Sequence, residues 1–457
     1  MGNCLTYCYN CCPNWIYTLC DVVKLCPADN DSLNEMEKGT LTTPQKDKPV
    51  TDQDEPTGPL EPPDQDEPTS QSNNPKTYKP ITEQDDNEQP DDQPKTVDTD
   101  KVIDKPPADQ LVMKAPLINY GSVPNERYAL HAPSSRDHDN EDDFLVHNDS
   151  FSVYLCVLDG HDGRNAVEFV KKYLQSNHLV VSQSDSCKDI IEKCIKDADA
   201  EFFKSIEQFL AEKSSIQDRI PKEMKSYEAQ MRFPNEVARL QELDVHISGG
   251  CTAVIAVITK KRLYVANVGD SRAVLVYQEH DQPALHVKQL SEDHGVENEA
   301  ELKRLSDLEL DPEQLIRAGR LGTQENTRSI GDYSIKGGYK DVDVICHATD
   351  EPGISTPHVT SVEINPSFKY LILMTDGVYK TLEAVGQHTR GNDTIAHMIN
   401  DYITEHGING AAFKILENIC QTQYNLYQTS ASENPRSDIA VANRKRDDMT
   451  LVIYQFT

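Results

Sequence analysis

The chain has 457 residues, and its 76 Asp and Glu against 45 Lys and Arg give a formal net charge of −31. That length suits two or three domains. The acidic balance argues against a nucleic-acid partner, because no basic stripe is present to neutralise phosphates. The absence of any run of about 18 apolar residues excludes a transmembrane helix.

Six of the twelve cysteines lie in the first 26 residues: Cys4, Cys8, Cys11, Cys12, Cys20 and Cys26. Met1-Gly2-Asn3-Cys4-Leu5-Thr6 fits the N-myristoylation pattern, with Gly2 as acceptor and Thr6 at the hydroxyl position. One acyl chain anchors only marginally, and Cys4 and its neighbours are placed for palmitoylation as the second signal. A zinc site through Cys8 and Cys11 lacks a second pair, and a secreted disulfide knot lacks a cleavable leader. The expectation is a lipid-anchor segment over 1–26 and a location on the cytoplasmic face of a membrane, otherwise in the cytoplasm.

Residues 29–109 carry 22 acids and 8 Lys, so −14 of the net charge sits there with almost no aromatic residues. Asp52-Gln53-Asp54-Glu55-Pro56-Thr57 recurs as Asp64-Gln65-Asp66-Glu67-Pro68-Thr69. Such a segment cannot bury enough apolar surface to offset chain entropy, which predicts a disordered acidic linker over 27–113. Residues 114–457 are long enough for one sizeable core.

Within that domain the apolar run 151–158 reads as a buried strand. It delivers Asp159-Gly160-His161-Asp162-Gly163 at its tip. Helical spacing follows over 166–174 and 189–211. A charged, helix-prone stretch near 212–245, interrupted by Pro221 and Pro234, reads as a surface insertion. Ser248-Gly249-Gly250-Cys251-Thr252-Ala253 then opens three apolar runs, 252–259, 262–268 and 273–277, expected to form one antiparallel meander. Gly269-Asp270-Ser271-Arg272 turns into the third. A further buried strand, 369–375, is tipped by Asp376-Gly377-Val378-Tyr379, and Arg446-Asp447-Asp448 directly precedes the apolar run 449–454.

Acids therefore flank strands at Asp159, Asp270, Asp376 and Asp447. Oxygen-only ligands on strand ends suit a hard cation such as Mg²⁺ or Mn²⁺, and no Cys/His set with zinc spacing occurs in this domain. Convergent carboxylates cannot all stay ionised unpaired, and bound cations would remove that conflict. Two such metals about 3.5–4 Å apart would bridge a water and lower its pKa. His161 is placed to protonate a leaving oxygen as a general acid.

The order of these motifs resembles the protein phosphatase 2C family. The motifs are Asp-Gly-His-Asp-Gly, Ser-Gly-Gly-Cys-Thr-Ala, Gly-Asp-Ser-Arg-Ala, Thr-Arg-Ser-Ile-Gly-Asp, Asp-Gly-Val and Arg-Asp-Asp-Met-Thr. The resemblance covers about 119–457. It implies an α+β fold, a four-layer α-β-β-α sandwich of two antiparallel sheets flanked by helix pairs. It also implies a binuclear Mg²⁺ or Mn²⁺ centre that hydrolyses phosphoserine and phosphothreonine in phosphoproteins. By motif, Asp159 resembles the bridging metal ligand and Gly160 a ligand through its carbonyl oxygen. Asp376 and Asp447 resemble ligands at later strand ends, and Glu141 with Asp142 resembles the pair that holds the second metal. Asp270 resembles a ligand of a third metal, His161 the general acid, and Arg136 the phosphate-binding arginine. Two positions depart. Lys380 stands where the family often has Asp, which weakens the case for a third ion, and Arg136 lies five rather than four residues before Glu141.

One branch is closer: the adaptors of TGF-beta-activated kinase, which have lost several metal ligands. Leu263-Tyr264-Val265-Ala266-Asn267-Val268-Gly269 and Val378-Tyr379-Lys380 carry that likeness. Two functions follow as expectations. One is an active, membrane-tethered metal-dependent serine/threonine phosphatase. The other is a weak or inactive adaptor that binds and regulates a MAP kinase kinase kinase.

Overall fold

The computed structural model describes residues 117–456, apart from 125, 130–131, 136–138, 150–151, 178–186, 281, 387–389 and 443. The lipidation positions Gly2 and Cys4, the acidic segment and Arg136 lie outside the described residues.

Two antiparallel sheets form the centre. The first orders its strands as Leu117–Val123, Met449–Gln455, Phe368–Met374, Arg272–Tyr277 and His286–Gln289. The second runs His358–Glu363, Arg262–Val268, Gly250–Thr259, Ser152–His161 and Asp143–Asn148, with Ile330–Gly331 paired to the start of Gly250–Thr259. A small third sheet joins Glu126–Ala129, Ala132–Ser135 and Lys445–Arg446.

Strand periodicity explains the layering. All ten residues of Gly250–Thr259 are buried, yet they serve two cores. Cys251, Ala253, Ile255 and Val257 face helices Asn165–Ser176 and Cys187–Gln217, meeting Val167, Val170, Ile191 and Ile195. Val254, Ala256 and Ile258 face the other sheet, meeting Leu371, Leu373 and Val452. Alternate residues of the first sheet point the other way: Ile372, Met374, Leu451 and Ile453 pack on helices Gly391–His406 and Ala411–Glu433 through Ile395, Ile399, Ile415 and Ile419. Side chains at period two thus give helix pair, sheet, sheet, helix pair, the expected four-layer α+β sandwich. Each fully buried Leu or Ile in these layers contributes about 1.5–3 kcal/mol relative to exposure.

The expected three-strand meander is corrected. Gly250–Thr259 and Arg262–Val268 pair as a hairpin, but Arg272–Tyr277 crosses to the other sheet and pairs with Phe368–Met374 and His286–Gln289. Gly269 makes the crossing. Its φ is 94°, and a Cβ there would lie 2.5 Å from the Thr252 side chain. Only glycine takes that turn against that neighbour without strain.

The stretch near 212–245 is helical. Cys187–Gln217 runs past its expected end, and helices Ser226–Arg232 and Pro234–Ile247 follow, with Pro234 at a helix start where its missing N–H costs nothing. Leu240, Leu243 and Ile247 pack on Phe202, Ile206 and Ile216 in a cluster of their own. Among the described residues, no helix is long and apolar enough to cross a membrane. Cys156, Cys187, Cys194 and Cys251 are free and buried, as small apolar side chains.

Candidate active site

The register brings the acids to one end of the sandwich. Ser152–His161 runs three residues past the end of its apolar run, with Asp159 opposite Thr252, Gly160 opposite Cys251 and His161 opposite Gly250. Its neighbour Asp143–Asn148 runs antiparallel, with Asp143 opposite Leu158, so Glu141 and Asp142 arrive beside Asp159. In the other sheet, Met374 lies opposite both Arg272 and Leu451. That pairing sets Asp270, Asp376 and Asp447 at the same end.

Hydrogen bonds tie the two sheets together here. Thr375 Oγ1 donates to Asp142 Oδ2 at 2.9 Å, and Thr450 N donates to Thr375 Oγ1 at 2.9 Å. Glu141 N donates to Asp448 Oδ2 at 2.7 Å, while Glu141 Oε1 accepts from Gly163 N at 2.7 Å. Backbone packing is close: a Cβ on Gly160 would lie 2.5 Å from Glu141 O, and one on Gly377 would lie 1.9 Å from Asp448 O. Asp162 turns away at φ 55° and accepts from Gln324 Nε2 at 3.3 Å.

Charge is unevenly compensated. Burial pushes the Asp159 carboxyl up, and Asp376, Asp142, Asp270 and Asp447 push it further. Asp142 is raised by burial and then by Asp448, and its Oδ1 is buried with no partner. Asp270 is raised by burial and Asp376, but Lys380 opposes this; its Oδ1 is likewise buried without a partner. Lys380 Nζ lies 2.5 Å from Asp376 Oδ2, 3.1 Å from Asp270 Oδ2 and 3.5 Å from Glu325 Oε2.

His161 Nε2 meets Asp332 Oδ1 at 2.7 Å. Burial lowers the histidine, but the Asp332 carboxylate outweighs it and raises its pKa to about 9. Asp332 is fully buried and sits in the left-handed region, φ 59°, with its N–H donating to Gly249 O at 3.2 Å. Gly250 leaves room for it, since a Cβ there would lie 2.4 Å from the Asp332 carboxylate. The segment is pinned from behind. Asp199 Oδ1 accepts from Gly331 N and from Lys336 Nζ, both at 2.8 Å.

The structure therefore gathers Asp159, Gly160, His161, Glu141, Asp270, Asp376 and Asp447. Sequence reading missed Asp332, although its motif was in view. Its signal is a short polar side chain directly after a glycine, one of the few residue types that tolerate positive φ.

Whether divalent cations suit this end has two answers. On the Asp159 side they do: the donors are oxygens, the carboxylates repel one another, and Asp142 Oδ1 has no partner. On the Asp270 side an ammonium is already in place. Among the described residues, no three His, Cys, Asp or Glu side chains form a ready-made metal cage.

Fold and site together define an α+β sandwich whose acid-lined end has the donor chemistry of a hard-cation site. A family model for protein phosphatase 2C matches residues 127–434, and the chain belongs to that family. The family is one of serine/threonine phosphatases that use Mg²⁺ or Mn²⁺ in general. A Paramecium tetraurelia relative, probable protein phosphatase 2C 2, is 28% identical over 58% of this chain and 74% of its own length. The Caenorhabditis elegans protein TGF-beta-activated kinase 1 and MAP3K7-binding protein 1 is 27% identical over 47% of this chain. The match spans half the length of that relative. Among solved structures, serine-threonine phosphatase 2C from Toxoplasma gondii aligns over 74% of this chain and 99% of its own, with 15% identity and a TM-score of 0.41.

Proposed function

We propose that this chain is a metal-dependent protein serine/threonine phosphatase. The observation that carries the reading is the assembled acid set: Asp376 and Asp447, from distant parts of the chain, crowd Asp159 at one end of the sandwich. Asp159, the Gly160 carbonyl, Asp376, Asp447 and Glu141 would hold the cations. Bound divalent ions supply a water of lowered pKa and counter-charge for the phosphoryl oxygens. The chain's own residues do the rest. His161, raised to about 9, carries its proton at neutral pH and delivers it to the departing serine or threonine oxygen. Asp332 fixes the ring and keeps it charged. Asp142, held by Thr375, anchors the seam between the sheets.

The test is Mn²⁺-dependent release of phosphate from a phosphothreonine peptide. Wild type is expected to be active only with Mn²⁺, and Asp376→Asn to lose at least a hundredfold. A folded wild type that releases nothing at any Mn²⁺ concentration would sink the reading.

A second reading has its own support. Lys380 occupies one edge of the site, and the C. elegans relative is by name a kinase-binding protein. An inactive chain that captured a MAP kinase kinase kinase would favour the adaptor. Membrane tethering through Gly2 and Cys4 belongs to the proposal on the sequence motif alone; incorporation of an alkyne-myristate label, lost in Gly2→Ala, tests it.

A further inference from the structure

Lys380 lies four residues after Asp376 on helix Asp376–Gly386, so both side chains share one helix face. Its Nζ closes on Asp376 Oδ2 at 2.5 Å and on Asp270 Oδ2 at 3.1 Å, with Glu325 Oε2 at 3.5 Å on the outer side. Asp376 and Asp270 keep only 15% and 12% of their side-chain surface, so their charges meet little water. The ammonium is where a shared cation would have to be.

We infer that Lys380 is a built-in cation, taking the place of a metal ion between Asp270 and Asp376. Two observations support this. Nζ sits at hydrogen-bond distance from Asp376 Oδ2 and at ion-pair distance from Asp270 Oδ2, so one ammonium faces both carboxylates at once. Both carboxylates are largely shielded from water, so the charge that compensates them is the one between them. A metal ion between Asp270 and Asp376 would have to displace a charged group already paired with both.

The site is thereby divided. Its Asp159 side needs added cations, and its Asp270 side neutralises itself. This deepens the phosphatase reading, since it fixes how many ions the centre takes, but the lysine's role at the carboxylate pair can be measured without turnover.

The experiment compares full-length wild type, Lys380→Ala, Lys380→Arg and Lys380→Asp in two measurements. The first is melting temperature in EDTA. Lys380→Ala is expected to melt about 4 °C lower than wild type, the shift that follows from leaving a buried acid pair uncompensated, and Lys380→Arg close to wild type. The second is Mn²⁺ stoichiometry by equilibrium dialysis. Lys380→Asp is expected to bind one ion more than wild type and to recover its melting temperature in Mn²⁺. Equal melting temperatures in EDTA together with equal stoichiometry in wild type and Lys380→Asp would overturn the inference. If wild type binds no Mn²⁺ while Lys380→Ala still melts low in EDTA, the lysine's role stands and the phosphatase reading falls.

Discussion

The proton that His161 would donate is held chiefly by Asp332. Asp332, at 2.7 Å, overcomes the cost of burying a charged imidazole. This makes a prediction that separates chemistry from structure. Asp332→Asn should lower kcat about a hundredfold on a phosphothreonine peptide, whose alkoxide must be protonated as it leaves. On 4-nitrophenyl phosphate, whose leaving group needs no proton, the loss should be small, and KM should hold for both. An equal loss on both substrates would reduce Asp332 to a packing residue. The individual acids were legible because each follows or precedes an apolar run. The pairing of His161 with Asp332 was not, because it joins positions 171 residues apart through a backbone turn that no local pattern encodes. Lys380 was legible only as a departure; that it lies between two carboxylates depends on Asp270, which only the fold brings beside it.

Single elements tell a similar story. The apolar runs ending at Leu158, Val268 and Met374 are strands in the structure, because four to eight β-branched and aliphatic residues in a row leave little else. What such a run hides is its sheet. A strand buried on both faces has no polar side to mark the interior, so Arg272–Tyr277 looked like a third meander strand and instead belongs to the opposite layer. The turn that sends it across should be intolerant. Gly269→Ala must fit a side chain at φ 94° with its Cβ 2.5 Å from Thr252. Urea unfolding should show a loss of about 2–4 kcal/mol, from backbone strain and overpacking together. A loss below about 0.5 kcal/mol would mean that Gly269 is not what enforces the crossing.

On the scale of the whole molecule, two buried groups weaken the fold in acid, His294 beside that crossing and Glu301 next to it. Burial pushes His294 down from 6.5 to about 4. Its contribution is complete above pH 6.5 and is lost as pH falls toward about 4, because the unfolded chain takes up the proton first. Glu301 is 1% exposed; burial opposes its ionisation, but Arg328, Arg304 and Thr327 bring it from 4.5 to about 2. Its contribution is complete above pH 4.5 and is lost between there and about 2. Calorimetry should therefore show the melting temperature falling in two stages, the upper one weakened in His294→Gln and the lower one in Glu301→Gln. A single decline unchanged by either substitution would contradict this account.

The strand Met449–Gln455 lies between Leu117–Val123 on one side and Phe368–Met374 on the other. While the protein is being made, residues 117–123 leave the ribosome before their one strand neighbour, Met449–Gln455, exists, and Asp376 is made before the strand that follows Asp447. The first sheet has a gap between Leu117–Val123 and Phe368–Met374 until residues 449–455 arrive, and closing it joins segments of high sequence separation, a slow step. A nascent chain would thus carry Asp159, Asp270 and Asp376 without a finished site. On the phosphatase reading, activity toward phosphoproteins should appear only once residues 449–455 have inserted.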